Sequence, residues 1–292
     1  LLREPFPVTE GVQAGVSLGE AFKAAFTTPL MLVMLIAMTM TASVELGPNR
    51  WVPAVLEAGG MAGILVLVWI NGLMAVMRYR AGAVVHKLSP TGVLLGSAVL
   101  AGVGLLALSY VSSGIAVFGA ATVFALGVCY FWPTMLGVVS ERVPKSGALG
   151  LGLMGTVGMA TVVLVAAPQM GRIADEYAHD QIPAAEVTVV LERTAMVLGN
   201  SQDPDAQAAV SAAEGVVQEF EVSGLLPAPA TANALRSIIA SDADADLIGQ
   251  AQAILGPADN YGGKISFRYM VPLCGILMLI FGALYMRDRR TG

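Results

Sequence analysis

The chain has 292 residues, 56% hydrophobic and only 13% charged, with 16 Lys+Arg against 21 Asp+Glu and a net charge of -5. Soluble domains carry about 25% charged residues, so this composition excludes an ordinary water-soluble globule, and its acidic balance offers no basic surface for nucleic acid. Cys129 and Cys274 sit in apolar runs, without CxxC spacing or a nearby histidine, which argues against a disulfide framework or a metal site.

Residue 1 is leucine and no signal-peptide pattern follows, so the chain reads as a fragment or a processed piece. Residues 1–28 read as a cytoplasmic linker and interfacial helix. In SLGEAFKAAFTTP, Leu18, Phe22 and Phe26 recur every four residues with Glu20 and Lys23 elsewhere on the turn, although a plain linker is an equal alternative. Apolar runs of spanning length follow at Pro29–Gly47, Gly60–Met77, Thr91–Tyr110, Gly114–Val139, Ala148–Gln169 and Phe267–Met286. They are continuous rather than alternating, which predicts helices and not barrel strands. The expected fold is therefore all-α, a polytopic membrane protein with six transmembrane helices: five within 29–171, and the last within 265–292 beside a basic tail.

Residues 172–264 differ, being rich in Ala, Asp, Glu and Val without a spanning run. They predict a small helical insert outside the membrane. Val187, Val190, Leu191, Thr194, Val197 and Leu198 form one helical stripe, and Val210, Ala213, Val217 and Phe220 a second, which Asp203 would cap with Pro204 at the first helical position. TANALRSIIA and SDADADLIGQAQAIL predict two further short helices. Asp242-x-Asp244-x-Asp246 begins like a calcium loop, but Leu247 and Ala253 stand where glycine and a bidentate glutamate are needed. A helix capped by Ser241 is the expectation there, with no metal or cofactor. The short loops on the side of the termini carry Arg78, Arg80, Lys87, Arg142 and Lys145, and the tail adds Arg287, Arg289 and Arg290. By the positive-inside rule both termini are cytoplasmic and the insert extracytoplasmic.

Gly92 and Gly96 make a GxxxG pair, and Gly152, Gly155 and Gly158 line one side of the fifth span, as expected of helices that approach closely in lipid. Thr41, Glu45 and Asn49 follow i, i+4, i+8 and share a face, and Pro48 should kink or loosen the helix there. Either this face looks into a cavity, or Glu45 and Arg50 lie in the headgroup zone with Trp51 as an interfacial anchor; the shared face favours the cavity. Asn71 is the strongly polar residue of the second span, and it either bonds across helices or lines a solute path. Trp69 lies on a nearly opposite face. Tyr130, Phe131 and Trp132 cluster before Pro133, where a kink is expected. His86 and His179 fall on opposite sides of the membrane by this topology, and no catalytic constellation is evident, so the chain is not expected to be an enzyme.

The six spans, the basic loop after the second and the Gly-rich fifth resemble the C-terminal half of a major facilitator superfamily transporter. GAVVHKLSPTGVLLGSAVLAG resembles that superfamily's loop G-x-x-x-D-R-x-G-R-R, with Gly82 and Lys87 matching, His86 in place of the acid and Ser89-Pro90 in place of glycine and arginine. SVELGPNRW and YFWPTMLGVVSERVPKSGALGLGLMGTVG resemble helices of fucose permease-like sugar symporters. The resemblance implies a multi-pass protein of the cell membrane, in bacteria the inner membrane. A small polar solute such as a sugar would bind Glu45, Asn49, Trp51, Asn71, Tyr130 and Trp132, with ion coupling. It also implies a lipid bilayer around the helices, no cofactor, and a missing N-terminal six-helix half as partner. A membrane-anchored sensor or assembly subunit, with the insert binding a ligand or partner, is the alternative from another class. An organic-anion or drug exporter with Arg50 as the anion's partner is a third.

Overall fold

The computed structural model describes residues 16–111 and 114–291, with side chains throughout except at Ala83, His86 and Thr291. The linker expected over residues 1–15 and the side chain of His86 lie outside the described residues. Among the described residues the fold is helical throughout. The helices are α1 (Leu18–Thr27), α2 (Pro29–Ala58), α3 (Gly63–Tyr79), α4 (Ala81–Leu88), α5 (Pro90–Tyr110), α6 (Ile115–Val128) and α7 (Phe131–Arg142). A 3-10 turn (Pro144–Ser146) leads into α8 (Gly147–Thr161), a π turn (Val162–Ala166) and α9 (Ala167–His179). Then come α10 (Ala184–Leu198), α11 (Pro204–Ser223), α12 (Ala228–Ala240) and α13 (Ala245–Thr291).

Five helical stretches are long and apolar enough to cross a membrane: Pro29–Ala58, Pro90–Tyr110, Ile115–Arg142, Pro144–His179 and Ala245–Arg290. The expected second span is α3, an apolar helix of 17 residues, about 26 Å long against a hydrocarbon core of about 30 Å. In the most apolar windows of Pro144–His179 and Ala245–Arg290 only 22% of residues are buried, against 56% in the other three. Val163, Leu164 and Leu279 are among the exposed side chains. Exposed apolar surface on this scale is covered by lipid or by another apolar surface, not by water. The chain is a multi-pass helical membrane protein.

The chain divides into two compact units. The first takes Leu1–Arg50, Val66–Pro168 and Arg268–Gly292. In it α5 and α6 pair with their backbones in contact: a Cβ added at Gly104 would strike the backbone of Phe124, and one at Gly127 that of Ala101. Those are the close-approach glycines. Gly96, Gly152 and Gly155 have nothing within 4 Å of an added Cβ, so of the glycines expected at interfaces Gly92 and Gly158 alone press on neighbours. Helix α2 runs through Gly47-Pro48 as one helix and on to Ala58. The chain does break at Cys129-Tyr130, between α6 and α7, one turn before Pro133. Proline cannot donate to the carbonyl four residues back and its ring crowds it. Pro168 is handled differently, by the wider π turn that precedes it. Helix α1 packs on the 3-10 turn and α8, opened by a capping box between Ser17 and Glu20. Leu18, Phe22 and Phe26 point outward from it, the two phenylalanine rings stacked at 6.1 Å. The backbone N–H of Ser17, then its hydroxyl, holds the Glu20 carboxyl below the ordinary glutamate range.

The second unit takes Trp51–Leu65 and Gln169–Phe267 and has its own core. Val187 and Leu191 of α10, Leu235 and Ile238 of α12, and Leu247 and Ala251 of α13 are buried together. On α11 the buried stripe is Ala206, Ala209, Ala213 and Val216; of the expected stripe Ala213 is in it and Val210 and Val217 pack partly buried against the same core, while Val197 of α10 is exposed. Asp203 caps α11, with Pro204 following. The expected short helix over SDADADLIGQAQAIL is instead the start of the 47-residue α13. Asp244, not Ser241, caps it, accepting from the Leu247 N–H at 2.7 Å. Asp246 pairs with Arg193 at 2.6 Å. Gly262-Gly263 does not interrupt α13, and these glycines admit close neighbours: the backbone of Ala174 at Gly262 and the side chain of Val55 at Gly263.

Candidate functional site

Within the first unit, Pro133 starts a chain of polar contacts. It leaves the Cys129 carbonyl without its helical donor. Arg78, near the end of α3, supplies one: its Nε donates to that carbonyl at 2.9 Å. The same guanidinium donates through Nη2 to Glu45 Oε1 of α2 at 2.8 Å. A planar fork can serve a carbonyl and a carboxylate at once, which a point-charge lysine does less well. The Glu45 side chain is 3% exposed and that of Arg78 40%. Glu45 Oε2 is buried without a protein partner. Arg78 is thus not a free cation of the loop after the second span, as the positive-inside count had it.

One turn along α2 from Glu45, Asn49 Nδ2 donates to Asn71 Oδ1 of α3 at 3.4 Å, and Asn49 Oδ1 is buried without a partner. Asn71 also donates to the Leu67 carbonyl at 2.9 Å and is exposed. Glu45 and Asn49 therefore both face α3. Thr41 turns to α7, donating to Met135 Sδ at 3.3 Å. Tyr130 donates its hydroxyl to the Met77 carbonyl at 3.1 Å, next to Arg78. Trp132 packs where an added Cβ at Gly158 would meet its ring at 3.2 Å, and its Nε1 is buried without a partner. Trp69 bonds Thr122 of α6 at 2.9 Å, away from Asn71. The structure thus gathers Glu45, Asn49, Asn71 and Tyr130 around α3, with Arg78 as the member that sequence reasoning placed elsewhere. Its signal in the sequence is Pro133, which frees a carbonyl that needs a donor.

A second polar cluster in the first unit ties three helix ends. Asp288 of α13 accepts both Nη atoms of Arg142, at 2.8 and 2.6 Å, and the Thr91 hydroxyl at 2.8 Å. Arg268 donates to the Ser109 carbonyl at the end of α5 at 3.2 Å and stacks over Tyr110 at 4.2 Å, satisfying a helix C-terminus with a cation.

Trp51 belongs to the second unit. It flanks a cleft of about 350 Å3 with Ala54, Val55 and Ala174. Asp175, Arg236 and Asp259 complete the wall. Arg236 Nη2 donates to Asp259 Oδ1 at 3.0 Å and to Asp175 Oδ1 at 3.4 Å. Among the described residues, no group of three or more His, Cys, Asp or Glu is arranged to hold a metal ion. Comparison with protein-family models, with curated proteins and with solved structures finds no significant match.

Proposed function

We propose that the chain is the C-terminal six-helix half of a secondary active transporter that moves a small polar solute, of which a sugar is the class carried by the resemblance to major facilitator superfamily symporters. The observation that carries this is Glu45, an acid enclosed among apolar helices with one oxygen on Arg78 and the other without a protein partner. Ionisable groups at such depth are costly and mark solute or ion paths, and the Asn49–Asn71 pair extends the polar face. Ser89 lends support: it stands at the glycine position of the superfamily's loop and holds φ +61°, the left-handed backbone that glycine supplies. In this account α3, continued by α4, is the second of six spans. Both termini are cytoplasmic in the cell membrane, the second unit is the extracytoplasmic insert, and an N-terminal bundle rocks against this one around a midplane site. Glu45, Asn49, Asn71 and Tyr130 hold the solute, and Trp132 packs against Gly158 of α8.

The second unit, with a core and a cleft of its own, favours one other account, a membrane-anchored sensor or assembly subunit. Uptake separates the two. In proteoliposomes holding this chain with the N-terminal bundle, Glu45→Gln weakens apparent solute affinity if Glu45 binds solute. If Glu45 carries the coupling proton, the same change abolishes accumulation and spares exchange. Uptake and exchange both at the unsubstituted level would remove Glu45 from the mechanism.

A further inference from the structure

We infer that the cleft of the second unit is a binding site for a small neutral polyol of monosaccharide size. A volume of about 350 Å3 lies at the low end for ligand pockets, which run from about 300 to 1,000 Å3. Its lining is of two kinds. One is the Trp51 indole beside Ala54 and Val55, with the indole edge 3.6 Å from where a Cβ at Gly171 would lie. The other is a row of acceptor, donor and acceptor: Asp259, Arg236 and Asp175. Both bonds to the aspartates leave from Nη2, so the Nε and Nη1 hydrogens of Arg236 are not used by either aspartate.

The three side chains are half-exposed at the cleft, 53% for Asp175, 43% for Arg236 and 31% for Asp259, and therefore reachable. A ligand of one sign satisfies only part of this row. An ammonium meets the Arg236 charge, and a carboxylate meets two like charges. Adjacent hydroxyls each donate and accept, so a vicinal diol matches the alternation. Hydrogen bonds to charged groups are the stronger kind. The C–H face of a cyclic polyol then lies on the apolar indole wall. The same residues have a structural use, since Arg236 ties α12 to α9 and α13; the apolar lining of Trp51, Ala54 and Val55 is what that use does not require. The inference is independent of the transport reading, because every residue in it belongs to the second unit.

The test uses the whole chain in nanodiscs, with Trp69 and Trp132 replaced by phenylalanine so that Trp51 is the single tryptophan. Glucose, galactose and mannitol are titrated against its emission, with tetramethylammonium and acetate as charged probes. A saturable change with at least one polyol is expected, weakened at least tenfold by Asp259→Asn and by Arg236→Lys. The lysine keeps the charge between the aspartates, and Asp175→Asn removes only the longer bond; unchanged circular dichroism and melting identify folded variants. A linear response to all three polyols, saturation by a charged probe alone, or saturation indifferent to Asp259→Asn, Arg236→Lys and Asp175→Asn would each overturn the assignment.

Discussion

Cutting the Glu45–Arg78 pair from its two ends should have unequal consequences. Removing Arg78, as Arg78→Leu, leaves a carboxylate that is 3% exposed without its counter-charge, and breaking a buried pair in this way costs about 3–5 kcal/mol. It also strips the Cys129 carbonyl of its donor, which adds about 1–3 kcal/mol where no other donor reaches it. Removing the acid, as Glu45→Gln, keeps an amide oxygen near the Oε1 position. Arg78 retains Cys129 and has a side chain 40% exposed, so the loss is about 1 kcal/mol. The double substitution Glu45→Gln/Arg78→Leu no longer strands a charge and should be at least about 2 kcal/mol more stable than Arg78→Leu alone, a coupling typical of groups in contact. Unfolding of the protein in bicelles, followed by circular dichroism against mole fraction of SDS, gives the three values. Equal costs for the two single changes, with the double equal to their sum, would refute the pair as a structural unit.

Other outcomes follow from the packing and the caps. Gly104→Ala and Gly127→Ala should each destabilise by about 1–3 kcal/mol through overpacking against the facing backbone, while Gly96→Ala, with open space around it, should be neutral or stabilising; thermal melting ranks the three. Asp288→Asn should loosen the ends of α5, α7 and α13 together, seen as faster amide exchange in residues near Thr91, Arg142 and Asp288, because one carboxylate accepts from both partners. The Glu20 carboxyl is held below its ordinary range in the folded helix. Its contribution to α1 is therefore present above the ordinary glutamate value and is lost as pH falls through the lowered one. Amide protection of α1, corrected for intrinsic rates, should drop on acidification across that window in the unsubstituted protein and not in Glu20→Gln. Labelling with an impermeant thiol reagent in intact cells should modify Ser201→Cys and spare Ser89→Cys, and the reverse pattern would invert the proposed topology.

The apolar helices were legible because a continuous run of spanning length has few other solutions. So was the face shared by Glu45 and Asn49, since i and i+4 superpose on a helix. Arg78 was not, because its position beside Arg80 at the end of an apolar run looks like any loop cation. Only the tertiary fold brings it to Glu45 and to a carbonyl freed by a proline 55 positions later in the chain. The 47-residue α13 was hidden for a related reason. Gly256-Pro257 and Gly262-Gly263 read as breakers by propensity, but the latter pair serves close packing that propensity does not see. The same blindness misplaced Gly96, Gly152 and Gly155 among the interface glycines: a GxxxG string names a spacing, whereas Gly104 and Gly127 are fixed by what faces them. Trp51 was grouped with Glu45 by the resemblance to symporter helices, yet it lines a cleft completed by α9, α12 and α13.

The central claim is that the face bearing Glu45, Asn49 and Asn71 borders a watery path and not lipid. Substituted-cysteine accessibility tests it most directly, in a background with Cys129 and Cys274 replaced by serine and with the chain joined to the proposed N-terminal bundle. A water-soluble methanethiosulfonate should modify Asn49→Cys and Asn71→Cys, and should leave Val103→Cys and Leu279→Cys, whose parent side chains are exposed and apolar, unmodified. Asn71→Cys as unreactive as Val103→Cys would contradict the account.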